Sequence, residues 1–315
     1  MAQEEKNWER ETLEKLAFSS LKEQTKARRW GIFFKLLTFA YITFLILMVF
    51  EWRGDGDIIA AGKHTALVDL DGVIDAKGDA SAEKITSALQ AAFKDKETKG
   101  VILRINSPGG SPVQSGIIND EVRRLRGVYP NIPLYVVVED ICASGGYFVA
   151  ASADKIYVNK ASLVGSIGVL MDGFGFTGSM EKLGVERRLL TAGANKGFLD
   201  PFSPEDPKQK EYAQSMLNDI HQQFIAVVKR GRGKRLKDDP QLFSGLIWTG
   251  QKAVELGLAD GYGSAESVAR DVIKAENIVD YTEKSSPVER IAKRFGAAAA
   301  KSFADFSLRE SIRLR

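Results

Sequence analysis

A chain of 315 residues, 44% hydrophobic and 27% charged, has enough apolar content to bury one large core or two modest ones, which excludes a disordered chain. Its net charge of +3 is small for the length, and the densest basic run, Arg230 to Lys237, lacks interleaved aromatic residues; it reads as a solvated loop, and no nucleic-acid partner is expected. The single cysteine, Cys142, excludes an internal disulfide framework and fits no zinc spacing, so neither metal nor cofactor is expected.

Residues 30–50 read WGIFFKLLTFAYITFLILMVF. That is about the ~20 mainly apolar residues a helix needs to cross a bilayer. Lys35 lies near the first end, where its stem can carry the charge to the headgroups. Glu51, Trp52 and Arg53 follow where a cleavable signal would have small residues, so the span is read as a retained transmembrane helix. Lys22, Lys26, Arg28 and Arg29 precede it, against Arg53 and Lys63 beyond. By the positive-inside rule, the tail 1–29 is cytoplasmic and the rest of the chain faces outward.

A Gly/Asp-rich linker, 51–62, leads to a domain over 63–275 in which short apolar runs alternate with helical patterns, the signature of an α/β fold. Strands are expected at Ala66–Leu70, Val101–Ile105, Leu134–Val138, Ile156–Val158 and Ile167–Met171. Several are continuously apolar, as in a largely parallel sheet covered on both faces. Ile85, Leu89, Ala92 and Phe93 keep helical spacing, as do Val113, Ile117, Val122 and Leu125. Ser111 before Pro112 marks a helix start; Ser203 before Pro204 repeats the device ahead of a long helix carrying Tyr212, Met216, Ile220, Phe224 and Val227 and ending near Gly231. Ala253, Val254, Leu256 and Leu258 read as a short buried helix. The tail, 276–315, turns basic and amphipathic from Ser286 and could dock on the body, a partner or a membrane surface.

Two turns carry candidate chemistry. Asn106 to Gly110 follows a buried strand and leads into the Ser111-capped helix, and its glycines allow backbone N–H groups to point into a cleft. After the next strand, Cys142 to Tyr147 places Ser144 at the start of a small-residue helix, with the Gly145 N–H beside it. Ser144 is the candidate nucleophile, and Gly110 and Gly145 are the candidate oxyanion donors. Turns at the ends of neighbouring parallel strands make the crevice in which α/β proteins bind ligands. The chain has two histidines, His64 and His221, and neither stands near a glycine turn, so a lysine is the remaining common base for a serine nucleophile. Lys155, Lys160 and Lys196 are candidates. Cys142 reads as a small buried residue.

NSPGG at Asn106–Gly110, ASGGY at Ala143–Tyr147, LVGSIGV at Leu163–Val169 and FSGLIWTGQKAVELGLADGYGS at Phe243–Ser264 together resemble the signal peptide peptidase A family, peptidase family S49, of the single-domain bacterial type. The resemblance implies the fold of the crotonases and the caseinolytic protease, repeated ββα units around a largely parallel sheet. It also implies a serine peptidase with a Ser–Lys dyad. Lys196 stands at the family's spacing beyond Ser144 and is the lysine the resemblance selects; it assigns Ser166 a hydrogen bond that orients that lysine. With one copy of the catalytic block, both residues of the dyad come from a single domain, and a homo-oligomer with its active sites around an enclosed space is implied. The expected enzyme sits in a bacterial inner membrane with its catalytic domain outside the cytoplasm, cleaving signal-peptide remnants or other membrane-derived peptides. Alternatives are quality-control cleavage of membrane proteins and, from another class, a crotonase-like acyl-CoA enzyme or a non-catalytic scaffold.

Overall fold

The computed structural model describes residues 2–53 and 62–283, which fall into two units, one containing the N-terminal helix and the other the body from residue 62 onward. Most of the linker, and the basic tail from residue 284, lie outside the described residues. Helix α1 (Ala2–Arg53) is continuous over 52 residues. Sequence patterning predicts a helix over 30–50 only, but the preceding segment is rich in Glu, Lys, Leu and Ala, all good helix formers, and extends it. Within α1, Lys22–Ile46 is long and apolar enough to cross a membrane, 25 residues or about 37 Å at ~1.5 Å per residue.

In the body, chain order runs β1 (His64–Asp71), α2 (Ala82–Lys94), β2 (Thr98–Ser107), α3 (Pro112–Val128), β3 (Leu134–Ala143), α4 (Gly145–Ala150), β4 (Lys155–Val158) and β5 (Leu163–Gly165). Then come α5 (Thr177–Lys182), α6 (Pro207–Arg232), β6 (Ile247–Thr249), α7 (Gly250–Glu255), β7 (Gly261–Tyr262) and β8 (Ile278–Asp280). The strands form one sheet ordered β6-β5-β3-β2-β1-β8, with β4 and β7 branching from β3; every pairing is parallel except β5 with β6. The fold is a mixed, mostly parallel α/β sheet with helices. Strand β3 forks: Tyr135–Val137 pair with β4, whereas Ile141–Ala143 pair with β5. That fork delivers the chain after Ala143 to a point between the ends of β2 and β5.

Alternate residues of the strands serve two cores. Ala66, Val68 and Leu70 of β1 join Val101, Leu103, Val136 and Val138 against α2, α3, α4 and α6. Leu67, Ile102 and Val137 face Val268 and Ala269 on the other side. Burial on both faces is why these strands read as unbroken apolar runs.

Four readings of the sequence are corrected. Ile167–Met171 is not a strand: β5 stops at Gly165, where Gly165 (φ +112°) and Ser166 (φ +50°) in succession turn the chain out of the extended conformation. The long helix starts later than Ser203, because Ser203 Oγ donates to Asp200 (2.6 Å), while Asp206 accepts from the Lys208 N–H (2.9 Å) and Pro207 takes the first helical position. On α3, Val122 and Leu125 are buried with Ile118, but Val113 and Ile117 are 69% and 47% exposed. They belong to a second apolar face, described below.

The basic run is not a solvated loop throughout. Arg232 is 1% exposed, donates to Gly257 O (2.9 Å) and pairs with Asp260 (2.7 Å), which Arg235 also reaches at 3.2 Å. Burial would raise the Asp260 carboxyl, but the hydrogen bond and charge of Arg232, with the Ile156 N–H, outweigh it and hold the group below the usual carboxylate range. A depressed folded value stabilises the fold fully above the ordinary range near ~4 and loses that contribution as pH falls through the lowered value. Asp260→Asn leaves Arg232 buried without a counter-charge, and a loss of about 3–5 kcal/mol is expected. Thermal melts from pH 7 to pH 2 check this: the variant should melt lower at pH 7 and lose less on acidification than the wild type.

Candidate active site

Ser107 closes β2 with its hydroxyl donating to Gly72 O (2.6 Å) and accepting from the Gly109 N–H (3.1 Å). The next residues are held against Ile74, whose N–H donates to Gly109 O (2.9 Å) and whose carbonyl accepts from the Ser111 N–H (2.8 Å). Ser111 then caps α3, accepting from the Gln114 N–H. This leaves the Gly110 N–H between two anchored residues. Gly109 and Gly110 both have positive φ, +102° and +149°. A Cβ on Gly109 would lie 2.7 Å from both Gly145 N and Ser144 Cβ, and one on Gly110 would collide with Ile74 O. Only glycine lets the two turns approach this closely.

The second turn leaves β3 through Ser144, whose N–H donates to Gly165 O (2.9 Å). Ser144 has φ +51° and ψ −121°, a conformation that costs a side-chain-bearing residue about 1–3 kcal/mol and that clusters at functional sites. Its side chain makes no capping bond to α4, so the hydroxyl is not spent on local structure. A Cβ on Gly145 would lie 3.2 Å from Gly110 N, which measures how close the two glycines come. Neither the Gly110 nor the Gly145 N–H donates a hydrogen bond among the described residues. Two unengaged N–H groups beside a strained serine form a pocket able to receive an oxyanion.

Ser166 completes this corner, with φ +50° and its N–H donating to Leu246 O (2.8 Å). Ser144, Ser166, Gly110 and Gly145 line one cleft of about 1270 Å³, walled by α3 and α6 with Phe148 between them. Lys196 does not line it. It is exposed in a turn where its N–H donates to Gly193 O (3.1 Å). Lys155 is exposed at the start of β4, and Lys160 sits over the Tyr262 ring in a separate cleft. The structure therefore brings together Ser144, Gly110, Gly145 and Ser166, the candidate nucleophile, candidate oxyanion donors and candidate orienting serine, and leaves every candidate lysine outside.

Neither histidine lines the cleft. The His64 ring contacts Gly62 O (3.1 Å) and the Tyr281 hydroxyl (3.0 Å), and His221 Nε2 donates to Ile167 O (3.1 Å), which ties α6 to the loop after Ser166. Cys142 is fully buried, and burial pushes its thiol up, away from reactivity. The cleft walls escape sequence reasoning. Helical spacing groups Val113 and Ile117 with the core face, although Ile117 stands five residues and Val113 nine before Val122, offsets that at ~3.6 residues per turn put both on another face of the helix.

The sequence pattern of Peptidase family S49 matches residues 128–279. The chain is 30% identical to an Enterococcus faecium protein bearing the name of signal peptide peptidase SppA, over 71% of this chain and 67% of that one. It is also 30% identical to the Haemophilus influenzae protein named probable protease SohB, over 73% of this chain and 65% of that one. A Brucella abortus protein named Na(+)/H(+) antiporter NhaA is 48% identical over 58% of this chain but only 25% of its own length. The chain spans about a quarter of that relative, most of which lies outside the match. The paired glycine turns, the strained serine and these relatives agree: the chain belongs to peptidase family S49.

Proposed function

We propose that the protein is a membrane-anchored serine endopeptidase that cleaves apolar, membrane-derived peptides such as signal-peptide remnants. The observation that carries this is Ser144, held in a strained conformation with its hydroxyl uncapped beside the Gly110 and Gly145 N–H groups. Ser144 Oγ attacks the scissile carbonyl and its proton passes to the Lys196 amine; the carbonyl oxygen, now negative, is held by the two N–H groups. Collapse breaks the C–N bond, Lys196 returns the proton to the leaving amine, and water hydrolyses the acyl-serine by the same steps.

Lys196 has to be brought to the cleft. Its segment is an apolar arm: Leu170, Phe174, Leu183 and Leu190 are 80%, 79%, 77% and 96% exposed. Exposed apolar surface on this scale favours self-association. A homo-oligomer would cover the arm, shield the reaction from water and set a Lys196 beside each Ser144. The apolar stretch Lys22–Ile46 would anchor the enzyme where membrane-derived peptides arise, with the body on the outward side.

The test uses the full chain in detergent micelles with an internally quenched apolar peptide, products mapped by mass spectrometry. Internal cleavage is expected. Removal of terminal residues only, or no cleavage at all, would contradict the endopeptidase reading.

A further inference from the structure

The walls of the Ser144 cleft change character along their length. On α3, Val113 and Ile117 near Gly110 give way to Asp120, where the lining ends; Arg123 stands one turn beyond it. On α6, Ile220 beside the His221 contact to Ile167 gives way to Val227 and then Arg230. The two helices thus run away from Ser144 along one cleft, apolar at first and charged at the far end, where Asp120 and Arg230 line it and Arg123 lies just beyond. Other charges on this stretch of α3 are matched: Arg124 pairs with Glu121 (2.7 Å), and Arg126 with Asp154. Arg123 and Arg230 make no ion pair within 4 Å among the described residues, nor does Asp120. The Arg123 Nε is buried without any hydrogen-bond partner. Burial and the nearby charges of Arg230 and Arg126 all disfavour its charged form, and Asp120 only partly offsets them. Arg230 at the end of the groove and Arg123 beyond it, near enough for their charges to act on each other, outnumber the one carboxylate there, Asp120, and an anion with two acceptor oxygens would offset the excess.

We infer that this end of the cleft is a carboxylate subsite, which takes an Asp or Glu side chain or the C-terminal carboxylate of the peptide being cleaved. The inference rests on the peptidase reading above. From Pro112 to Arg123 the helix rises about 16 Å at ~1.5 Å per residue, which matches about five residues of extended peptide at ~3.3 Å each. The carboxylate accordingly lies about four or five residues from the scissile bond, with apolar residues between. The enzyme then selects mixed segments, apolar at the cut and acidic at a set distance from it, over uniformly apolar ones.

The experiment compares quenched peptides sharing one apolar core. One series carries Asp, Ala or Lys four or five residues to either side of the cut; the other ends at that distance in a free acid or an amide. Full-length enzyme in micelles should show kcat/KM about 10-fold higher for a carboxylate than for its neutral partner, the worth of a charge-assisted hydrogen bond at a partly exposed site, and lower again for Lys. A preference confined to Asp peptides identifies a side-chain carboxylate, and one confined to free acids the chain terminus; either supports the subsite. Arg230→Glu should reverse the ratio in favour of Lys, and Arg123→Gln should shrink it. Ratios within one variant cancel any general loss of activity. Equal kcat/KM for Asp, Ala and Lys peptides that the wild type does cleave would overturn the subsite and leave the peptidase reading standing. An Asp preference that survives Arg230→Glu and Arg123→Gln would overturn it as well. Failure to cleave any peptide of either series would remove both.

Discussion

Ser144→Ala should lower kcat for peptide cleavage by about a million-fold, the loss seen when a serine nucleophile is removed from a dyad or triad that works as a unit. The substitution deletes only the hydroxyl. An alanine at this position would keep the Cβ and the backbone hydrogen bond to Gly165, and Gly109 and Gly145 would still pack around it. Because the Ser144 side chain caps nothing, stability should change by no more than about 0.5 kcal/mol. A variant that melts with the wild type and has lost turnover separates chemistry from folding. A variant with substantial turnover would move the nucleophile elsewhere, Ser166 being the other strained serine in the cleft.

Lys196→Met should abolish cleavage to a comparable degree, at least about 10⁴-fold, since nucleophile and base are lost together in effect when either is removed. Methionine keeps the length of the side chain without the amine. Lys196→Arg should be equally inactive, because a guanidinium stays charged and cannot accept the serine proton. A lysine amine, by contrast, can be made neutral once something covers it. Lys196 is exposed, so neither variant should disturb the fold, and initial rates with a quenched peptide settle the point. Substantial activity in either variant would disqualify Lys196 and return attention to Lys155 and Lys160. Lys155 opens β4, and Lys160, just beyond it, faces a different cleft, which makes them poorer placed than an arm that self-association would cover.

The parallel strands and the two glycine turns are legible in the sequence because each signal is local. An unbroken apolar run bounded by turn residues reads as a doubly covered strand, and NSPGG before Ser111-Pro112 reads as a turn into a capped helix. Ile167–Met171 misleads for the same reason, since apolar composition does not reveal that Gly165 and Ser166 adopt positive φ. Arg232 misleads because its partner, Asp260, lies far along the chain, and a run of basic residues does not show which one is buried. The cleft walls depend on α3 and α6 lying side by side, a tertiary fact with no local mark. Ser144 and Gly110 can be named from their turns; the place of Lys196 cannot, because nothing local indicates which surface its arm covers.

The central claim is that Ser144 is an activated nucleophile, and reaction with a fluorophosphonate tests it most directly. The reagent needs an attacking hydroxyl, a base and an oxyanion pocket, but no particular peptide. Full-length protein in micelles is expected to gain one phosphonyl adduct, mapped to Ser144 by tandem mass spectrometry, absent in Ser144→Ala and strongly slowed in Lys196→Met. An acyl-CoA enzyme that stabilises an enolate with the same two N–H groups, or a scaffold that keeps only the fold, has no such nucleophile. Intact protein that stays unmodified at Ser144 under conditions that label a known serine peptidase would contradict the claim.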